Sequence, residues 1–178
     1  KGKQEYQANN NFVEGDWSQA AFWMVGGILG QKLTCNGLDV NSLQGDKIIY
    51  QLVQKMGANV MQQQNSILSA NSSTHGIVID AADCPDIVPI LTVLASISSG
   101  TTKIINAGRL RIKECDRLAA ITSELNKMGA NIIEQQEGLI INGCPQGLLG
   151  GCNVSAWNDH RIAMSLAIAA QCCQAPIV

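Results

Sequence analysis

Lys55-Met56-Gly57-Ala58-Asn59-Val60 returns almost unchanged as Lys127-Met128-Gly129-Ala130-Asn131-Ile132, an offset of 72 positions (127 less 55). In both copies a polar amphipathic stretch runs up to a glycine, the residue that most easily takes the left-handed conformation closing a helix. Strand-forming residues follow and double back, near Gln64-Asn65 in the first copy and near Glu137-Gly138 in the second. Each copy therefore predicts helix, glycine stop and β-hairpin, and a chain that writes this instruction twice is built from a repeated unit.

Working outward, each unit opens on an acidic loop followed by an apolar helix. Asp16 precedes Ala20 to Leu29, Asp86 precedes Ile87 to Ile97, and Asp159 precedes Ile162 to Ala170, with offsets of 70 (86 less 16) and 73 (159 less 86). Three units thus begin, over about 12–80, 81–150 and 151–178, the third incomplete. The opening helices are apolar nearly all round, as Ile87, Val88, Ile90, Leu91, Val93, Leu94 and Ile97 illustrate, so they belong inside. The second helices, Asp46 to Met56 and Asp116 to Met128, carry the 3.6-residue rhythm of a surface layer. Short β-rich segments such as Gly76 to Ile79 and Thr101 to Ile105 lie between. The expected fold is α/β: a pseudo-threefold repeat of βαβαββ-like units, buried helices surrounded by sheets. Residues 1–11, polar and rich in Asn and Gln, read as a linker. Val178 follows what reads as a strand, so a piece of a longer protein is expected.

Composition narrows the function. Of 178 residues 46% are hydrophobic, ample for a core, and the net charge is −2 with 4% aromatics and no dense Lys/Arg run. That argues against nucleic acid or a membrane surface as partner and for a small molecule. No apolar run approaches the ~20 residues of a membrane span. Seven cysteines in an odd set, without metal-ligand spacing, read as reduced thiols of a cytoplasmic protein.

Charged residues gather at the loop-to-helix junctions: Arg111 to Leu118, Trp157 to Arg161, and Asp83 to Asp86. In a threefold repeat these junctions can meet at one end of the domain, where helix N-termini attract anions. Arg117 and Arg161 stand in first turns, where a cation opposes the helix dipole, so a carboxylate or phosphate ligand is one reason for them. Solvated pairs, Arg117 with Glu114 or Asp116 and Arg161 with Asp159, are the other. Asp86 reads as the N-cap of the helix entering at Ile87, as a general base, or as both. Asp46 reads as a cap, as does Asp16 or Ser18. His160 is an acid/base or packing candidate, and His75 a surface residue; neither has a companion for metal binding.

Arg111-Ile112-Lys113-Glu114-Cys115-Asp116-Arg117-Leu118, followed eleven positions later by Gly129, resembles a signature of EPSP synthases. Val13-Glu14-Gly15-Asp16, Cys84-Pro85-Asp86 and Asn158-Asp159-His160-Arg161 match in order, so the resemblance runs from about residue 12 to the end. It implies transfer of the enolpyruvyl group of phosphoenolpyruvate to the 5-hydroxyl of shikimate 3-phosphate, with phosphate released and no metal or organic cofactor. Asp86 matches the carboxylate taking the hydroxyl proton, and Glu114 an acid serving the methylene carbon. Lys113 matches a contact to shikimate 3-phosphate and the reacting centre. Arg117 and Arg161 match the pair holding phosphoenolpyruvate, with His160 supporting the same wall. Arg109 stands where some members carry a ring-contacting Asn. The resemblance also implies a missing N-terminal domain, a further lysine beyond Val178, a monomer, and no turnover by this polypeptide alone. A UDP-N-acetylglucosamine enolpyruvyl transferase, or a noncatalytic binding module on the same repeat, is the alternative reading.

Overall fold

Three apolar helices pack against one another in the middle of the molecule: α1 (Trp17–Leu29), α3 (Val88–Ile97) and α5 (His160–Ala169). The structure, a computed structural model, describes residues 2–178; Lys1, the first residue of the expected linker, lies outside them. Every residue of α3 from Val88 to Ser96 is buried, as the all-round apolar pattern requires. Burying each of its large aliphatic side chains contributes roughly 2 kcal/mol. The hydroxyls it takes inside are satisfied within the helix: Thr92 donates to the Val88 carbonyl and Ser96 to the Thr92 carbonyl, each at 2.8 Å. Pro89 falls in the first turn, where a missing N–H costs nothing.

The shorter α2 (Ile49–Lys55) and the amphipathic α4 (Arg117–Lys127) form the outer helices. Both end as expected, at Gly57 with φ 92° and Gly129 with φ 98°. The first outer helix differs at its start from the expected Asp46–Met56. A 3-10 turn over Gly45–Ile48 replaces the first α-turn, and the Asp46 side chain caps nothing. A cap needs an extended residue in front of the helix, and Asp46 lies inside the turn.

Among the described residues, nine strands form three sheets. In the first, β1 (Leu33–Asn36), β2 (Asn59–Gln63) and β3 (Ser66–Ala70) are antiparallel in the order β1-β3-β2. The second, ordered β4-β5-β7-β6, holds β4 (Val78–Asp80), β5 (Thr101–Ile105), β6 (Asn131–Gln135) and β7 (Gly138–Asn142), with β4 parallel to β5. The third pairs β8 (Leu148–Gly150) with β9 (Cys173–Ala175), also parallel.

Registers of Gln63 on Ser66 and Gln135 on Gly138 make both hairpin loops two residues long. The second loop is therefore Gln136-Glu137, one position before the expected Glu137-Gly138. Gly138 belongs to the strand for a packing reason: a Cβ there would stand 1.9 Å from the Ile104 carbonyl oxygen on β5. A glycine in a strand marks this kind of close backbone approach as readily as it marks a turn.

This mixed α/β arrangement, with α1, α3 and α5 inside and the sheets outside, is the expected fold class. Its consequence for function is that the N-terminal ends of α1, α4 and α5, with the turn leading into α3, come together at one rim.

Candidate active site

The rim is assembled from capped helix starts. Asp16 caps α1, accepting from the backbone N–H of Ser18 at 2.8 Å. Asp116 caps α4 through the Ala119 N–H at 3.1 Å. Asp159 caps α5 through the Arg161 N–H at 2.8 Å. Asp86 departs from the expected cap: Pro85 opens a 3-10 turn over Pro85–Ile87, Asp86 sits in that turn, and its carboxylate caps no helix. It faces three cations instead. Lys113 Nζ lies 3.2 Å and Arg117 Nη1 2.9 Å from Asp86 Oδ1, and Arg161 Nη2 lies 3.4 Å from Asp86 Oδ2.

Arg117 is the hub. Its Nε donates to Asp159 Oδ2 at 2.7 Å, Nη1 to Asp86, and Nη2 to Glu114 Oε2 at 2.6 Å. The side chain is 1% exposed and that of Asp159 0%, so this is no solvated surface pair. Asp116, the other partner considered for Arg117, binds Arg111 at 2.8 Å. Arg161 reaches across the rim to the Asp86 carbonyl at 3.3 Å and the Ser18 hydroxyl at 3.2 Å, tying α5 to α1 and to the turn before α3.

Asp86, Lys113, Glu114, Arg117 and Arg161 therefore form one contiguous cluster. His160 is exposed and joins none of its contacts, and Arg109 is exposed on the 3-10 turn over Gly108–Ile112. Glu114, with 47% of its side chain open, and Asp86, with 30%, are the cluster's solvent-facing carboxylates.

The charges explain the titration. Burial pushes the Asp86 carboxyl up, but Arg161, Lys113 and Arg117 outweigh it and hold it below its ordinary value. Burial acts likewise on Asp159, and there the Arg117 bond and the backbone N–H groups of α5 win. Three cations meet three carboxylates, Asp86, Glu114 and Asp159. Asp46 adds a fourth carboxylate: burial, then the field of Asp86, pushes its carboxyl up to about 6.

Sequence reasoning gave Asp159 no role as the brace of Arg117 and took Asp46 for a cap. In the sequence Asp159 stood at a helix start inside the Asn158-Asp159-His160-Arg161 match and as the partner considered for Arg161, but its side chain pairs with Arg117, while the Arg161 guanidinium turns to Asp86. Nothing local marks Asp46, because its surroundings come from Asp86 and Arg161, distant in sequence.

The cluster suits a small molecule carrying negative charge and undergoing proton transfer, since planar forks and an ammonium stand beside carboxylates able to take or give a proton. Among the described residues no group of His, Cys, Asp and Glu is arranged to hold a metal ion, and no helix is long and apolar enough to cross a membrane.

The family model for EPSP synthase (3-phosphoshikimate 1-carboxyvinyltransferase) matches residues 1–178. A 3-phosphoshikimate 1-carboxyvinyltransferase of Clostridium kluyveri is 54% identical over 178 residues, which is 100% of this chain and 41% of the relative. The enzyme of that name from Clostridioides difficile is 48% identical, covering 100% of this chain and 40% of the relative. Among solved structures, EPSP synthase from Acinetobacter baumannii superposes with a TM-score of 0.82 at 27% identity, over 93% of this chain and 41% of that one. The enolpyruvyl transferase NikO from Streptomyces tendae, at 20% identity and a TM-score of 0.72, shares the fold. The chain spans about two-fifths of the length of the curated relatives it matches.

Proposed function

The chain belongs to the EPSP synthase family, and on that premise we propose that it supplies one wall of an active site joining phosphoenolpyruvate to shikimate 3-phosphate. Residues 12–178 are the C-terminal lobe, a threefold repeat with its third unit incomplete, and 1–11 the linker from an N-terminal lobe. The enzyme is cytoplasmic and monomeric, and the second lobe provides the rest of the substrate cage.

Arg117 and Arg161 hold the carboxylate and phosphate of phosphoenolpyruvate, and Lys113 contacts shikimate 3-phosphate beside the reacting carbon. Glu114 serves the methylene carbon: a proton added there leaves the adjacent carbon electron-poor, and the 5-hydroxyl attacks it while Asp86 takes the hydroxyl proton. A new C–O bond forms in this step. Phosphate then departs against the fixed cations, and loss of a methyl proton restores the vinyl group. His160 supports the wall.

The supporting observation is the contact of Asp86 with Lys113, Arg117 and Arg161 at 2.9 to 3.4 Å. In the free protein this carboxylate is a weak base, because three cations stabilise its charge. An incoming anion draws the two guanidinium groups toward itself, so Asp86 gains proton affinity as the substrate arrives. Self-pairing of the rim thus keeps the cations placed without leaving them bare.

Phosphate release by the full-length protein carrying this chain tests the proposal. Phosphoenolpyruvate alone should yield none, and addition of shikimate 3-phosphate should start turnover. Release that depends on UDP-N-acetylglucosamine instead, or no release with either acceptor, overturns it. The 178-residue chain alone should not turn over, since affinity and orientation need both walls.

A further inference from the structure

We propose that Glu124, far along α4 from the cluster, is a positioning residue that sets the grip on phosphoenolpyruvate by pinning the loop in front of Asp159 and Arg161; this rests on the function proposed above. Glu124 stands seven residues after Arg117. Seven residues are nearly two helical turns, so both side chains leave the same face of α4, roughly 10 Å apart along its axis. Segment 155–159 lies along that face and is held at both ends. At one end Asp159 accepts from Arg117 Nε at 2.7 Å. At the other, Glu124 accepts from the Ser155 backbone N–H at 2.9 Å and from the Trp157 indole Nε1 at 2.8 Å.

Two observations separate this from ordinary helix packing. Glu124 is 0% exposed, and a buried carboxylate is tolerated only where donors meet it. Both of its oxygens are engaged, with Lys127 Nζ at 2.8 and 2.9 Å as the remaining partner. Second, the backbone between Ser155 and Asp159 is strained at Trp157, whose φ of 52° is a left-handed value that bulky side chains avoid, and Asn158 follows at 54°. Asn tolerates this region, but Trp157 does not, so the backbone at Trp157 persists only because its surroundings hold it. The double left-handed step turns the chain so that Asp159 can cap α5 and brace Arg117 while Arg161 points across to Asp86. A relaxed loop would move both guanidinium groups together.

The test uses the full-length protein with two variants. Glu124→Gln keeps the size but presents an NH2 group to donors. Trp157→Phe keeps the ring and removes one pin, and serves if the first variant does not fold. In both, KM for phosphoenolpyruvate should rise on the order of tenfold, with KM for shikimate 3-phosphate within about twofold of wild type. Amide hydrogen exchange over 155–162 should speed up in the same variants. Lys127→Met, which removes only the exposed partner of Glu124, should leave both KM values unchanged. A purely structural role would lower thermal stability without this split. Wild-type turnover with an unmoved KM for phosphoenolpyruvate, or unchanged exchange over 155–162, overturns the proposal alone. Absence of turnover in the wild type overturns the functional reading, and this proposal with it.

Discussion

Replacing Asp159 by Asn keeps the size of the side chain and removes the charge that the most buried cation of the rim depends on. The Asp159 and Arg117 side chains are 0% and 1% exposed and meet at 2.7 Å. Leaving a buried charge without its partner typically costs about 3–5 kcal/mol. Arg117 keeps Asp86 and Glu114, whose side chains are 30% and 47% exposed, so the lower end of that range applies. Asn still caps a helix nearly as well as Asp, so the start of α5 adds only a few tenths. A loss of about 3 kcal/mol is expected at pH 7, which at a urea slope near 2 kcal/mol/M lowers the unfolding midpoint by about 1.5 M. The sign with pH follows from the depressed carboxyl of Asp159. Its stabilisation is fully present above the unfolded value near pH 4 and is lost as pH falls through the folded one. The gap between wild type and variant should therefore close in acid. Urea titrations at pH 7 and at about pH 2.5 measure both quantities. A deficit below about 1 kcal/mol at neutral pH, no larger than expected for losing a solvent-exposed surface pair, would refute the burial argument. So would a deficit that stays constant into acid.

Asp46 should behave in the opposite sense. With its carboxyl raised to about 6 it subtracts stability as pH climbs from about 4 to 6, so Asp46→Asn should flatten that decline and stabilise the fold at pH 7 by about 1 kcal/mol in thermal or urea melts. Gly138→Ala should cost about 3 kcal/mol, because the new methyl meets the Ile104 carbonyl at 1.9 Å between two backbones that cannot part cheaply; a wild-type melting temperature would contradict the close approach. Cys115, pushed up to about 11 by burial and then by Asp159, should alkylate on the order of a hundredfold more slowly at pH 7.5 than an unperturbed thiol, and faster in Asp159→Asn. In the full-length protein, Asp86→Asn should lower kcat for shikimate 3-phosphate-dependent phosphate release by about 10² to 10⁴, the usual worth of a general base; a smaller loss would remove Asp86 from that role.

The repeated unit was open to reading because its signals act over a few residues. Gly57 and Gly129 stop helices through their own φ, and the Gln64-Asn65 turn joins neighbouring strands. The apolar run of α3 declares its burial in ten letters. Even the miss at Gly138 was local: a strand glycine and a turn glycine look alike in sequence, and only the strand pressing on it from β5 tells them apart.

The site divides along the same line. Asp86, Lys113, Glu114, Arg117 and Arg161 stood out as charged residues at helix starts, and their motif carried the family resemblance. By itself the sequence determined which residues have such chemistry and where each unit begins. Only the tertiary structure decided who pairs with whom: Arg117 with Asp159 across 42 positions, Glu124 with Ser155 across 31, and Asp46 left in the field of Asp86. Local propensity travels along the chain for about one helical turn, whereas charge and burial act through space, and the space is made only when the three helices pack.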